Sequence, residues 1–281
     1  MQNFINNINN KRYKTLAFLT GAVTTIHREY LGLEIDEQVT PYVKSYIKDY
    51  AILEKHYFSS RYDYLLDISL EDYGILQDDG TLSRQYSEGR LNLYIDSVSY
   101  HSCEVCLKGD LYGDTNYDST HDNKVVYKVC AIKKGGLEKL KTEEQLVLEG
   151  ERLYDSGNLK MAFFMYFSAV ESLINSKVSN YAVKIHAELH DALEYLSLDE
   201  KLRLVTKEAL NTTDFDTIKV WSKIMETFNS SKSKRNLIAH GKSVDINMDD
   251  VDGIYMSLLL ITGVLNFGLS KFNDINREIF K

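Results

Sequence analysis

Apolar residues recur at helical intervals near the start of the chain. Phe4, Ile8, Leu16, Leu19, Val23 and Ile26 predict a helix over residues 3–30. Gly32 and the Thr40-Pro41 pair punctuate its exit. Pro41 suits the opening of a second helix over residues 42–57, where Val43, Tyr46, Ile47, Tyr50 and Leu53 repeat. The pattern then changes. Residues 62–70, 91–107 and 124–133 are rich in Tyr, Val, Ile and Leu and partly alternate, as in Leu91-Asn92-Leu93-Tyr94-Ile95, which predicts strands. Turn signals separate them at Asp78-Asp79-Gly80, Ser87-Glu88-Gly89, Lys108-Gly109-Asp110 and Tyr112-Gly113-Asp114, and residues 110–123 read as an exposed loop. The expectation is an antiparallel meander packed with two helices, an α+β domain over residues 1–136 that ends in the linker Lys133-Lys134-Gly135-Gly136.

Helical periodicity then continues to the end. It predicts helices over residues 143–155, 159–178, 181–195, 198–210, 215–228 and 249–272. Phe163, Tyr166, Phe167, Val170, Leu173 and Ile174 share one face, and Trp221, Ile224, Met225 and Phe228 recur in the same way. The second domain, residues 137–281, is thus expected to be an all-α helical bundle. Residues 253–270 carry no charge and approach membrane-spanning length, but Ser257, Thr262, Gly263, Asn266 and Gly268 interrupt them. A buried core or dimer helix is the expectation, with no membrane partner.

Composition narrows the function classes. The formal net charge is −8, which disfavours a general nucleic-acid coater while leaving room for a local basic patch. Three cysteines in 281 residues make no disulfide framework, so a cytoplasmic, reducing setting is expected. Lys11-Arg12-Tyr13-Lys14 and the apolar run behind it are faintly like a signal peptide, but no small-residue cleavage site follows.

Chemistry concentrates in Lys232-Ser233-Lys234-Arg235-Asn236-Leu237-Ile238-Ala239-His240-Gly241-Lys242. On a helix Asn236 and His240 share a face, with Arg235 one residue to the side. A guanidinium and an imidazole so placed can grip a phosphate and move a proton beside it. The bland reading is a solvated basic helix end, with Gly241 as its terminator.

Arg235-Asn236-x-x-x-His240 resembles the R-N-x-x-x-H signature of HEPN domains, small helical bundles whose name refers to nucleotide binding in higher eukaryotes and prokaryotes. The run from Gly150 to Ile174 resembles the opening helix pair of that family, and Ala239-His240-Gly241 precedes a closing helix as it does there. The resemblance covers the second half of the chain only. It implies a HEPN-like fold and metal-independent RNA cleavage without a cofactor, in a homodimer with the two motifs facing each other, in a toxin or anti-phage defence setting. His240 would then be the general base or acid, Arg235 the binder of the scissile phosphate, and Asn236 an orienting group. Lys232, Lys234 and Lys242 would attract the RNA backbone, and Glu171 could steady Arg235 from across the bundle. A regulatory or antitoxin protein is a further implied partner, although the tyrosine found two residues after the histidine in members paired with a nucleotidyltransferase antitoxin is Lys242 here. A non-catalytic binding or assembly module built on the same basic face is the alternative.

Other constellations are weaker. Cys103 and Cys106, with His101, His121 and Cys130, have donors for zinc but lack the glycine or proline of a tight knuckle. A strand there would project the two cysteines to opposite faces, so buried thiols and no metal are expected. His186 and His190 stand four apart with no third ligand evident.

Overall fold

A computed structural model describes residues 8, 11–21, 25–32, 42–44, 47–84, 90–112, 123–186 and 190–281. They form two compact units that do not follow chain order. Met1–Gly21 joins Leu140–Lys281 in one unit, and Ala22–Lys139 forms the other. The expected division at residue 136 is therefore incomplete, because the start of the chain belongs to the second half.

The first unit is helical. Its elements are α1 (Arg12–Thr20), α2 (Thr142–Asp155), α3 (Leu159–Ala182), α4 (His190–Glu194), α5 (Leu198–Leu210), α6 (Trp221–Ala239), α7 (Met248–Phe267) and α8 (Phe272–Ile279). Helix α3 packs against α2, α5, α6 and α7. The uncharged run near the C-terminus is a core helix: thirteen residues of α7 are buried, from Val251 to Leu265. It is long and apolar enough to cross a membrane, but 72 % of that stretch is covered by the rest of the protein. Local chemistry sets the helix ends. Ser197 and Glu200 form a reciprocal capping box at the start of α5, and Asn247 and Asp250 form another at the start of α7. Gly150 lets α2 and α3 approach closely, since a Cβ there would lie 2.6 Å from the Tyr166 ring.

Helix α1 is stapled into this unit. Thr15, Leu16, Leu19 and Thr20 are buried, and Phe18 stacks on Phe267. Arg12 Nε lies 2.5 Å from Glu151 Oε1, and its guanidinium sits over the rings of Tyr154 and Tyr255. The expected helix over residues 3–30 is thus cut short at Gly21, whose φ of 55° ends it, and residues 25–32 are strand.

The second unit is built from sheet. Its strands are β1 (Thr25–Gly32), β2 (Tyr42–Lys44), β3 (Ile47–Tyr57), β4 (Tyr62–Leu76), β5 (Leu82–Ser83), β6 (Arg90–Ser99), β7 (Glu104–Tyr112) and β8 (Asn123–Lys133). They form two four-stranded sheets, in the orders β1-β8-β4-β5 and β2-β3-β7-β6, with antiparallel pairing throughout. Leu65, Val125, Tyr127 and Val129 from one sheet share a core with Leu91, Leu93, Val105 and Leu107 from the other, the packing of a sandwich.

The expected helix over residues 42–57 is a correction. Residues 42–44 and 47–57 are strand, the latter paired with β7 from Asp49 to Tyr57. Their apolar members are largely β-branched or aromatic and suit a sheet, so cross-strand pairing overrode an ambiguous period. The stretch 91–107 is not one strand but a hairpin, whose turn ends on Cys103 at φ 53°. Lys108-Gly109-Asp110 is not a turn but part of β7. Gly109 is there because a Cβ would meet the Asn92 carbonyl oxygen at 2.0 Å. Tyr112 closes β7, whereas the expected turn at residues 87–89, residues 113–114 of the next one, the Thr40-Pro41 break and most of the expected loop over 110–123 lie outside the described residues.

Candidate functional site

Helix α6 carries the motif as far as Ala239, with His240 as its cap. Trp221, Ile224, Phe228 and Ser231 form its buried stripe, and Arg235 falls on the same line two turns beyond Phe228. This places the guanidinium on the side of α6 that faces α3. Phe228 stacks on Phe167 with ring centroids 5.7 Å apart. Further along both helices, Arg235 Nη2 donates to Glu171 Oε2 at 2.7 Å, and its guanidinium carbon lies 5.8 Å from the Phe167 ring centre. Nη1 donates weakly to Asn236 Oδ1 at 3.4 Å, while Nε is buried with no hydrogen-bond partner. Buried donors are normally paired, so this one is an unmet demand beside a fixed cation.

The helix ends immediately after. The Lys242 amide donates to the Leu237 carbonyl at 2.9 Å and the Gly241 amide to the Ile238 carbonyl at 3.0 Å. Gly241 has φ 67°, which completes a Schellman stop with His240 as its cap. Asn236 and His240 are exposed, and the His240 ring makes no hydrogen bond or ion pair among the described residues. In a regular helix Arg235 and His240 lie about 140° apart around the axis and about 7.5 Å apart along it. The arginine turns toward α3 and the imidazole stands in solvent.

The flanking lysines are not uniformly available. Lys232 Nζ lies 2.9 Å from Asp199 Oδ1, and Lys234 Nζ lies 2.5 Å from Asp250 Oδ2. Lys242 is exposed and has no ion pair among the described residues. Sequence reasoning offered Glu171 as a partner for Arg235 only beside the plainer reading of an ordinary, partly exposed glutamate, and the ion pair is present. It did not reach Asp199 or Asp250, which come from other helices and carry no local signal. Phe167 was legible only as a core residue.

The cysteines do not gather donors. Cys103, Cys106 and Cys130 are all free and buried, and burial pushes the Cys103 thiol up to about 11. Among the described residues no group of three or more His, Cys, Asp and Glu side chains could hold a metal ion. His121 lies outside them. His186 is in the segment after α3 and His190 opens α4, so the two do not share one helix.

The arrangement offers a held guanidinium, an amide beside it and a free imidazole one turn further on. Comparison of the chain with family models, curated proteins and solved structures finds no match, so this geometry and the sequence pattern carry the functional reading.

Proposed function

We propose that the helical unit is a HEPN-like, metal-independent endoribonuclease whose site is Arg235, Asn236 and His240. The observation that carries this reading is the Arg235–Glu171 ion pair, which fixes the guanidinium next to Asn236. His240 takes the proton of a ribose 2′-hydroxyl, the 2′-oxygen attacks the adjacent phosphorus, and the 5′-oxygen leaves with a proton. The products are a 2′,3′-cyclic phosphate and a 5′-hydroxyl. Arg235 faces the charge that builds on the phosphoryl oxygens, the kind of contact whose removal costs about 10²–10³ in rate. Asn236 orients the phosphate.

Within one chain the two reacting groups diverge, so the working site is composite, with the motifs of two copies facing each other. Exposed apolar side chains at the motif end, Leu237 at 37 % and Met248 at 48 %, suit such a face. Helix α7 spends its apolar residues inside its own unit, so the proposed contact rests on the motif face. Free thiols fit a reducing, cytoplasmic setting. A toxin or defence role, with a regulatory or antitoxin partner, belongs to the same proposal.

The second reading, a binding or assembly module, draws on the neutralised cations. Arg235, Lys232 and Lys234 all spend a donor on an internal carboxylate. Labelled RNA incubated in chelator with wild type and with His240→Ala separates the two. Cleavage by wild type alone is expected. Equal, negligible turnover by both, or a monomer in light scattering at micromolar concentration, overturns the composite nuclease.

A further inference from the structure

A polar cavity of about 160 Å³ opens between α6 and the first turns of α7, lined in part by Glu226, Ser231, Lys234, Asp249, Asp250 and Gly253. Lys234 immediately precedes Arg235, so the cavity adjoins the proposed site. Its side chains are not those that carry out the chemistry.

Two features mark it as space kept for a ligand. Gly253 lies inside α7, where glycine is a poor helix former. Backbone strain does not demand it, and a Cβ built there meets nothing within 4 Å. Only open space lies over it. Ser231 is 5 % exposed and lines the cavity, yet its hydroxyl makes no hydrogen bond among the described residues. The hydroxyl oxygen is not itself sealed from solvent, so it is open to a ligand that enters the cavity.

The free groups define what fits. Lys234 and Asp250 already hold each other at 2.5 Å, and Glu226 gives one oxygen to Lys223 at 3.2 Å. Asp249 has no ion pair among the described residues. A carboxylate is an acceptor only, with two oxygens side by side. The complementary ligand therefore offers two adjacent N–H donors. It is also small, because the cavity falls well below the roughly 300 Å³ at which pockets begin to take drug-sized molecules.

Resting on the ribonuclease reading, we infer that this cavity reads a guanine of the RNA. Guanine presents N1–H and its 2-amino group next to each other, which matches the two oxygens of Asp249. The remaining donors of Lys234 or the Ser231 hydroxyl serve its O6 acceptor. Adenine and cytosine set a donor beside a ring acceptor, and uracil flanks its one N–H with two carbonyls, so each turns a lone pair toward the carboxylate.

Calorimetry of the full chain with guanosine 3′-monophosphate tests this without requiring turnover. Inosine 3′-monophosphate, which lacks the 2-amino group, and adenosine 3′-monophosphate are the comparison ligands. The guanine nucleotide should bind tightest, with the inosine nucleotide on the order of ten- to a hundredfold weaker, the usual range for one good bidentate contact. Asp249→Asn should erase that difference. Gly253→Leu, which fills the cavity and favours the helix, should abolish binding while the far-ultraviolet spectrum and melting point hold. Equal binding of all three nucleotides, binding unaffected by Gly253→Leu, or binding of none overturns the inference. RNA cleavage without guanine preference sinks the cavity assignment and leaves the nuclease standing. Guanine binding with no RNA cleavage does the reverse.

Discussion

Arg12 and Glu151 meet at 2.5 Å although the entire sheet unit lies between them in the chain. Tyr166 donates to the second Glu151 oxygen at 2.6 Å and accepts from Arg12 at 3.0 Å, so the ion pair is enclosed and hydrogen-bonded. Removing one partner leaves an uncompensated buried charge. Arg12→Met should cost the helical unit about 3–5 kcal/mol in denaturant unfolding. Adding Glu151→Gln, which keeps an acceptor for Tyr166, should restore at least half. A double variant no more stable than Arg12→Met would show that Arg12 acts through packing alone.

The same neighbourhood has a pH signature. Burial, then the charge of Glu151, push the Asp155 carboxyl from 3.8 up to about 6, against the pull of Arg12. Burial raises Asp252 as well. Each is an acid that holds its proton more tightly when folded than when unfolded. Its contribution to stability is therefore present at low pH and declines as pH rises through the window from about 4 to 6. Asp155 also ends α2, where a negative charge opposes the helix dipole. Asp155→Asn should raise the melting point at pH 7 and leave it unchanged at pH 4. The gain should be small, because Asp155 is only partly enclosed and solvent screens it from the open side. An equal gain at both pH values would remove titration as the cause.

In the sheet unit, His56 Nδ1 and the Tyr127 hydroxyl are 2.7 Å apart, both buried, and they join the two sheets. The other ring nitrogen lies 2.9 Å from Glu54 Oε1. Tyr127→Phe removes one partner and strands the other, so it should cost about 1–3 kcal/mol. Urea unfolding of the full chain, followed by a probe in the sheet unit, measures it, and a neutral substitution would show that the bridge carries no net stability.

For the proposed site, Arg235→Lys should lower RNA cleavage about 10²–10³-fold, since an ammonium cannot reproduce the fork that meets both Glu171 and a phosphate. Glu171→Gln removes the clamp but keeps the cation. It should reduce kcat, up to about a hundredfold for a misplaced guanidinium, while RNA affinity holds or rises as a negative charge leaves. A fall in stability without this split between kcat and affinity would assign Glu171 a structural role only.

Local periodicity was enough to mark most of the long helices of the second half, because they carry apolar stripes at one period and several have caps readable from adjacent residues; the helix expected over residues 181–195 is instead the short α4, His190–Glu194, among the described residues. Thr142–Asp155, Leu159–Ala182 and Leu198–Leu210 fall close to the stretches their periodicity marks. The motif was legible for the same reason, since Asn236 and His240 are related by helix spacing alone. Long-range packing set the rest. Residues 47–57 became a strand because hydrogen bonds to β7, distant in sequence, outweighed a period that a short apolar run leaves ambiguous. Helix α1 joined the far half because Arg12 found Glu151 and three tyrosines there, Tyr154, Tyr166 and Tyr255, which no local pattern can announce. Lys232 and Lys234 looked like free cations until Asp199 and Asp250 arrived from other helices. Local spacing fixes what one element can present, and only packing decides which charges it keeps for a ligand.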